Sequence, residues 1–119
     1  MPYGATGVEP ISEEPLPPAE TLAYARGLLD EGRPFAAHEA LEVRWKSCPD
    51  AERELWQGLA QLCVGLTHQA RGNAVGASRL VERAAGRLEA YDQAARPTYG
   101  LDLAVLIACA CARVRVQDA

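Results

Sequence analysis

This chain has little of what builds a β-sheet. Its 119 residues include one phenylalanine, and isoleucine and threonine are also sparse. The β-branched and aromatic residues that suit pleated strands are thus missing in bulk. Alanine, leucine and arginine are abundant instead, which points to helix. Positive charge is not in excess: the net charge is −4, which argues against a general electrostatic grip on nucleic acid. The four cysteines, Cys48, Cys63, Cys109 and Cys111, form no CxxC pair and no disulfide framework, and Cys63 and Cys109 sit in apolar runs as small hydrophobes. There is no Gly-rich phosphate loop, no GxSxG elbow and no dinucleotide fingerprint. The longest apolar run, Leu103 to Ala112, is far short of the ~20 residues that span a bilayer. The N-terminus lacks the basic-then-apolar order of a signal peptide. These absences describe a reduced, cytoplasmic protein with no membrane association and one domain's worth of core.

What is present is helical punctuation. Residues 1–18 carry five prolines, Pro2, Pro10, Pro15, Pro17 and Pro18, together with Glu9, Glu13 and Glu14. That composition predicts a flexible arm. The helical domain is then expected over 19–119, as an all-α bundle of five helices. The first runs over 19–31, with Leu22, Ala25, Leu28 and Leu29 as its stripe and Gly32 as its stop. Pro34 opens the second, over 34–47. Pro49 breaks the chain, and Asp50 caps a third helix over 51–71 with Leu55, Leu59, Leu62, Cys63 and Leu66 inward. Gly72-Asn73 separates it from a fourth over 74–95. Asp102 caps a fifth over 102–116, apolar nearly all round, which predicts a central place in the bundle or a covering partner such as a second copy. A weak repeat sets Gly32-Arg33-Pro34-Phe35 and Gly72-Asn73-Ala74-Val75 at equivalent places in two helix–turn–helix hairpins, the second similar to a tetratricopeptide unit.

Two polar clusters interrupt these helices, and each holds one of the chain's two histidines. The first is His38-Glu39-Ala40-Leu41-Glu42-Val43-Arg44-Trp45. The second is Gln57-Gly58-Leu59-Ala60-Gln61, continuing to His68 and Arg71-Gly72-Asn73. At helical spacing His38 and Glu42 share one face, with Leu41 and Trp45 adjoining and Glu39 about 100° round. If the second and third helices are antiparallel neighbours, His38 and His68 face each other with Glu42 one turn below.

The run Phe35 to Trp45 resembles the signature of the domain of unknown function 309 family. Trp56-Gln57-Gly58-Leu59-Ala60-Gln61-Leu62, His68 and Arg71-Gly72-Asn73 resemble its second signature, and Tyr99-Gly100-Leu101-Asp102 is similar to its late Gly-x-Asp segment. The resemblance covers about residues 20 to 107. It implies a small all-helical bundle, found mainly in prokaryotes and plants, with no established biochemical activity.

Three readings of the clusters remain open. In the first, they form a satisfied structural network, with Gln57 and Gln61 bonding across to Glu42 or to a free carbonyl. In the second, His38, Arg44, His68, Arg71 and the Asn73 end of the fourth helix gather around a small anionic ligand. In the third, His38, Glu42 and His68 hold a divalent metal such as zinc, manganese or iron, with Gln61 or water completing the set and Glu39 as general base of a hydrolase-like enzyme. The fifth position of the histidine motif is Glu42 rather than His, which departs from the HExxH metalloprotease pattern. The first two readings make the protein a non-catalytic binding or interaction module, with His38, Glu42, Gln57, Gln61, His68, Arg71 and Asn73 as its polar set. The stripe Arg79, Arg83 and Arg87 reads as a solvated surface.

Overall fold

The structure is a computed structural model that describes residues 16–118, with side chains through 114; the expected arm over 1–18 lies outside the described residues up to position 15. Among the described residues five α-helices follow one another: α1 (Pro18–Asp30), α2 (Pro34–Ser47), α3 (Arg53–Ala70), α4 (Ala74–Gln93) and α5 (Leu103–Asp118), with a 3-10 turn (Asp50–Glu52) before α3. No strand occurs among the described residues, and the fold is all-α in a single domain. None of the described helices is long and apolar enough to cross a membrane.

Local chemistry explains the boundaries. α1 starts one residue earlier than periodicity suggests, because Pro18 has its φ preset for a first turn and needs no N–H there. Gly72 adopts φ 83°, which lets its N–H reach Gln69 O and the Asn73 N–H reach His68 O at 2.8 Å. That Schellman-type closure satisfies the last carbonyls of α3, and Gly32 closes α1 in the same way. Asn73 then caps α4, its Oδ1 accepting the Gly76 N–H at 3.0 Å. Asp102 does likewise for α5 by accepting from Val105 N–H. Asp50 behaves differently from expectation. It opens the 3-10 turn, and its carboxylate pairs with Arg53 at 2.9 Å instead of capping the backbone.

Each helix packs on its neighbour in sequence, and α3 also touches α5. The core therefore centres on α3, where Leu55 and Trp56 are fully enclosed, and continues onto α4 through Val81 and Leu88. Each such side chain contributes roughly 1.5–3 kcal/mol by leaving water. The α3–α4 approach is close enough that a Cβ at Gly58 would lie 2.7 Å from Leu88 Cδ2. α5 does not take the central place its composition suggested. It lies against α4 with Leu103, Ile107, Ala110 and Val114 buried, and leaves Ala104, Val105, Ala108, Cys109 and Ala112 exposed. The reason is positional. With α3 already filling the centre, a helix appended after α4 has one face to bury.

Candidate functional site

The motif face of α2 is built by helical spacing: positions 38, 42 and 45 fall on one stripe, beside the buried Ala37 and Leu41. His38 is mostly enclosed, with 18% of its side chain exposed, and its Nε2 stands 3.8 Å from Glu42 Oε2. That is an ion-pair distance, too long for a hydrogen bond. The other ring nitrogen, Nδ1, is buried and has no hydrogen-bond partner, and the same holds for the Trp45 indole Nε1. Phe35, one turn before His38, tilts its ring toward the imidazole at 5.4 Å between centroids. Glu39 points away and is exposed.

The second cluster is divided by the fold. Gln57 and Gln61 do not reach across to Glu42. Their side-chain oxygens accept from Arg87 of α4 at 3.2 and 3.3 Å, and the same guanidinium donates to Glu54 at 2.7 Å. Arg87 is thus a strut between α3 and α4 and departs from the solvated stripe in which the sequence sets it. His68 turns to the next helix start. Because Asn73 Oδ1 is committed to Gly76, its amide nitrogen faces His68 Nδ1 at 3.0 Å. Arg71 lies over the Phe35 ring at 5.9 Å, and Arg44 over the Trp56 ring at 5.5 Å. The two arginines therefore attend separate rings and do not gather at one anion pocket.

His38, Glu42 and His68 do not form a ligand set. Among the described residues no group of three histidine, cysteine, aspartate or glutamate side chains is placed to hold a metal ion. What the structure brings together is the His38–Glu42 pair. The expected third member, His68, has a nitrogen taken up at the α4 cap.

Sequence reasoning missed a second polar centre. Glu52 is buried, and its carboxylate accepts from Trp56 Nε1 at 3.1 Å and from the Tyr99 hydroxyl at 2.5 Å. Tyr99 lies in the α4–α5 connector and holds a left-handed backbone, φ 52°, which is uncommon for a bulky residue and is sustained only by surrounding contacts. The bond to Glu52 is the leading reason that its phenol is pushed up to about 12. Tyr91 bonds Pro97 O at 2.7 Å and Arg96 bonds Ala51 O at 3.0 Å, so the connector is tied to the 3-10 turn and to α4. One local signal was available: Glu52 and Trp56 are four residues apart. Nothing local pointed to Tyr99.

The two core thiols are poor nucleophiles. Burial pushes Cys63 up to about 12 and raises Cys48 as well, which disfavours the nucleophilic thiolate.

Comparison with known proteins agrees with the sequence resemblance. Residues 22–80, about half of the chain, match the family model described as Domain of unknown function (DUF309). Over that segment the chain belongs to the family, and the match contains the α2 face, the glutamines and His68. A Bacillus subtilis (strain 168) protein described as uncharacterized protein YpuF is 41% identical over 69 residues, covering 57% of this chain and 39% of that protein. The chain thus matches about two fifths of the length of this relative. No solved structure matches.

Proposed function

Taking the DUF309 segment as the premise, we propose that the protein is a non-catalytic binding module whose ligand-facing residues are His38, Glu42 and Trp45 on α2. The observation that carries this reading is the pair of buried, unpartnered nitrogens on that face, His38 Nδ1 and Trp45 Nε1. A buried donor left without an acceptor costs roughly 1–3 kcal/mol, and such groups are few in native proteins. Trp45 Nε1 is such a donor, and His38 Nδ1 is a donor or an acceptor according to its tautomer. A ligand beside the half-exposed Glu42 carboxylate would supply the missing partners. Because the indole N–H only donates, that ligand must offer an acceptor, which a small carboxylate or phosphate does. Gln57, Gln61, His68 and Asn73 serve this module as bracing and capping groups.

The test follows the Trp45 indole N–H by NMR in the full ¹⁵N-labelled chain during titration with acetate, inorganic phosphate and zinc. The reading expects a saturable shift of that signal with one of the two anions, lost in His38→Ala, with no turnover of the anion. A shift with zinc alone, abolished by His38→Ala, by Glu42→Gln and by His68→Ala, would instead favour the metal-dependent alternative with those three residues as ligands. No shift with any of the three overturns the binding reading.

A further inference from the structure

The end of the molecule that carries the Gly32 turn holds an open groove, distinct from the α2 face just described. It consists of two adjoining hollows of about 290 and 260 Å³ that share Gly32, Pro34 and Ala70 as walls. These volumes lie at or below the low end for small-molecule pockets, roughly 300–1,000 Å³, and both hollows are open to solvent, which suits side chains of an extended segment better than an enclosed ligand.

The lining has two parts. The floor is apolar, from Leu29, Pro34, Leu66 and Ala70. The rim is cationic: Arg33 and Arg71 border one hollow and Arg113 the other, while no aspartate or glutamate lines either. In a chain of net charge −4, three arginines around one apolar trough form a local reversal of sign. Arg33 has a partner outside the groove, Glu31 at 3.3 Å, but both side chains are more than half exposed, and such surface pairs are worth little and exchange freely. Gln69 adds a directional element. Its amide donates to the backbone oxygen of Arg113 at 3.2 Å, while its Oε1 is buried with no partner. Gln69 lines one of the hollows, so a turn of its side chain would offer this acceptor to an incoming main-chain N–H.

We propose that this groove is the docking site for an acidic, extended peptide segment of a partner protein. Its carboxylates would pair with Arg33, Arg71 and Arg113, an apolar side chain would rest on the Leu29–Leu66 floor, and one backbone N–H would complete Gln69. Charge complementarity selects the partner, and the apolar floor with the side-chain acceptor of Gln69 selects a polypeptide over a polyphosphate. The proposal stands apart from the binding reading of the α2 face, with which the groove shares Phe35 alone.

The full ¹⁵N-labelled chain is titrated with a synthetic ten-residue peptide alternating Glu and Leu, with the same peptide carrying Lys for Glu, and with a single-stranded oligonucleotide of matching charge. The Glu peptide is expected to shift Leu29, Ala70 and Gln69 saturably, to weaken with salt, and to lose about tenfold or more in affinity in Arg71→Glu and in Arg113→Glu. Ala70→Trp fills the trough without changing charge and must also weaken binding, so the outcome does not hang on one variant folding. No saturable shift, equal binding of the Lys peptide or the oligonucleotide, or binding indifferent to all three substitutions overturns the proposal. The Trp45 indole signal is read in the same spectra, so failure here and failure of the α2 reading are separable.

Discussion

Trp45 and Trp56 stand on either side of the α2–α3 connection, and the fold treats them in opposite ways. Trp56 is fully enclosed, its indole N–H is accepted by Glu52, and its other surroundings are the Tyr99 ring at 6.0 Å and the Arg44 guanidinium. Trp45 is half-buried against the core, and its N–H is buried with nothing to accept it. The same side chain is therefore a structural tie in one place and an incomplete one in the other. A buried charge such as Glu52 need not signal function when donors surround it. The more informative sign is a buried donor that the protein itself leaves without a partner.

The largest test of this contrast is Glu52→Ala, which strands the Trp56 N–H and the Tyr99 hydroxyl together. With roughly 1–3 kcal/mol for the buried Trp56 donor and a smaller loss at the more exposed Tyr99, denaturant unfolding of this variant is expected to show the greatest loss of stability in the set. Trp56→Phe comes next. It takes one of two donors from a buried carboxylate and loses fully buried surface, and it is expected to cost more than about 1 kcal/mol.

Tyr99→Phe is smaller at neutral pH and sharper in its pH dependence. The folded phenol is pushed up to about 12, above its ordinary value of 10.0. The folded state therefore holds that proton more tightly than the unfolded chain does. The associated stability is fully present below pH 10 and is lost as pH rises toward about 12. The wild-type chain should lose stability across that window more steeply than Tyr99→Phe, and ultraviolet titration should show one late-ionising tyrosine fewer in the variant, with Tyr91, raised by burial, still titrating late. The smallest effect belongs to Trp45→Phe. Removal of an unpaired donor offsets the lost contact area, and thermal unfolding is expected to place it within about 1 kcal/mol of the wild type. A loss at Trp45→Phe as large as that at Trp56→Phe would break the comparison.

Much of the fold was legible in the sequence because its signals are local. Gly32 and Gly72 mark left-handed stops, Pro34 an opening, and Asn73 and Asp102 caps, and each does so through neighbours within a turn or so. The α2 stripe of His38, Glu42 and Trp45 was legible for the same reason, as the product of helical period alone. The partners of Gln57 and Gln61 were not, since Arg87 arrives from 30 and 26 residues later in the chain. His68 was misread because two requirements compete for it. The start of α4 needs Asn73 for its own cap, and the amide end of that cap takes the imidazole nitrogen. Of the two places the sequence allowed α5, the central one is not taken. An all-round apolar helix has no face preference of its own, so only the order of packing decides which side is covered.

By itself, the sequence determined the number of helices, most of their starts and stops, and the faces on which polar residues stand. These follow from backbone conformational preference and a fixed period of turn, which act over a few residues. Tertiary structure alone decided which of those residues meet. It joined Tyr99 to Glu52 across 47 positions, Gln69 to Arg113 across 44, and left Trp45 and His38 with buried nitrogens unmet. The reason is that hydrogen-bond partners are set by how helices lie against one another, and that arrangement is fixed by the whole core and by no single segment of it.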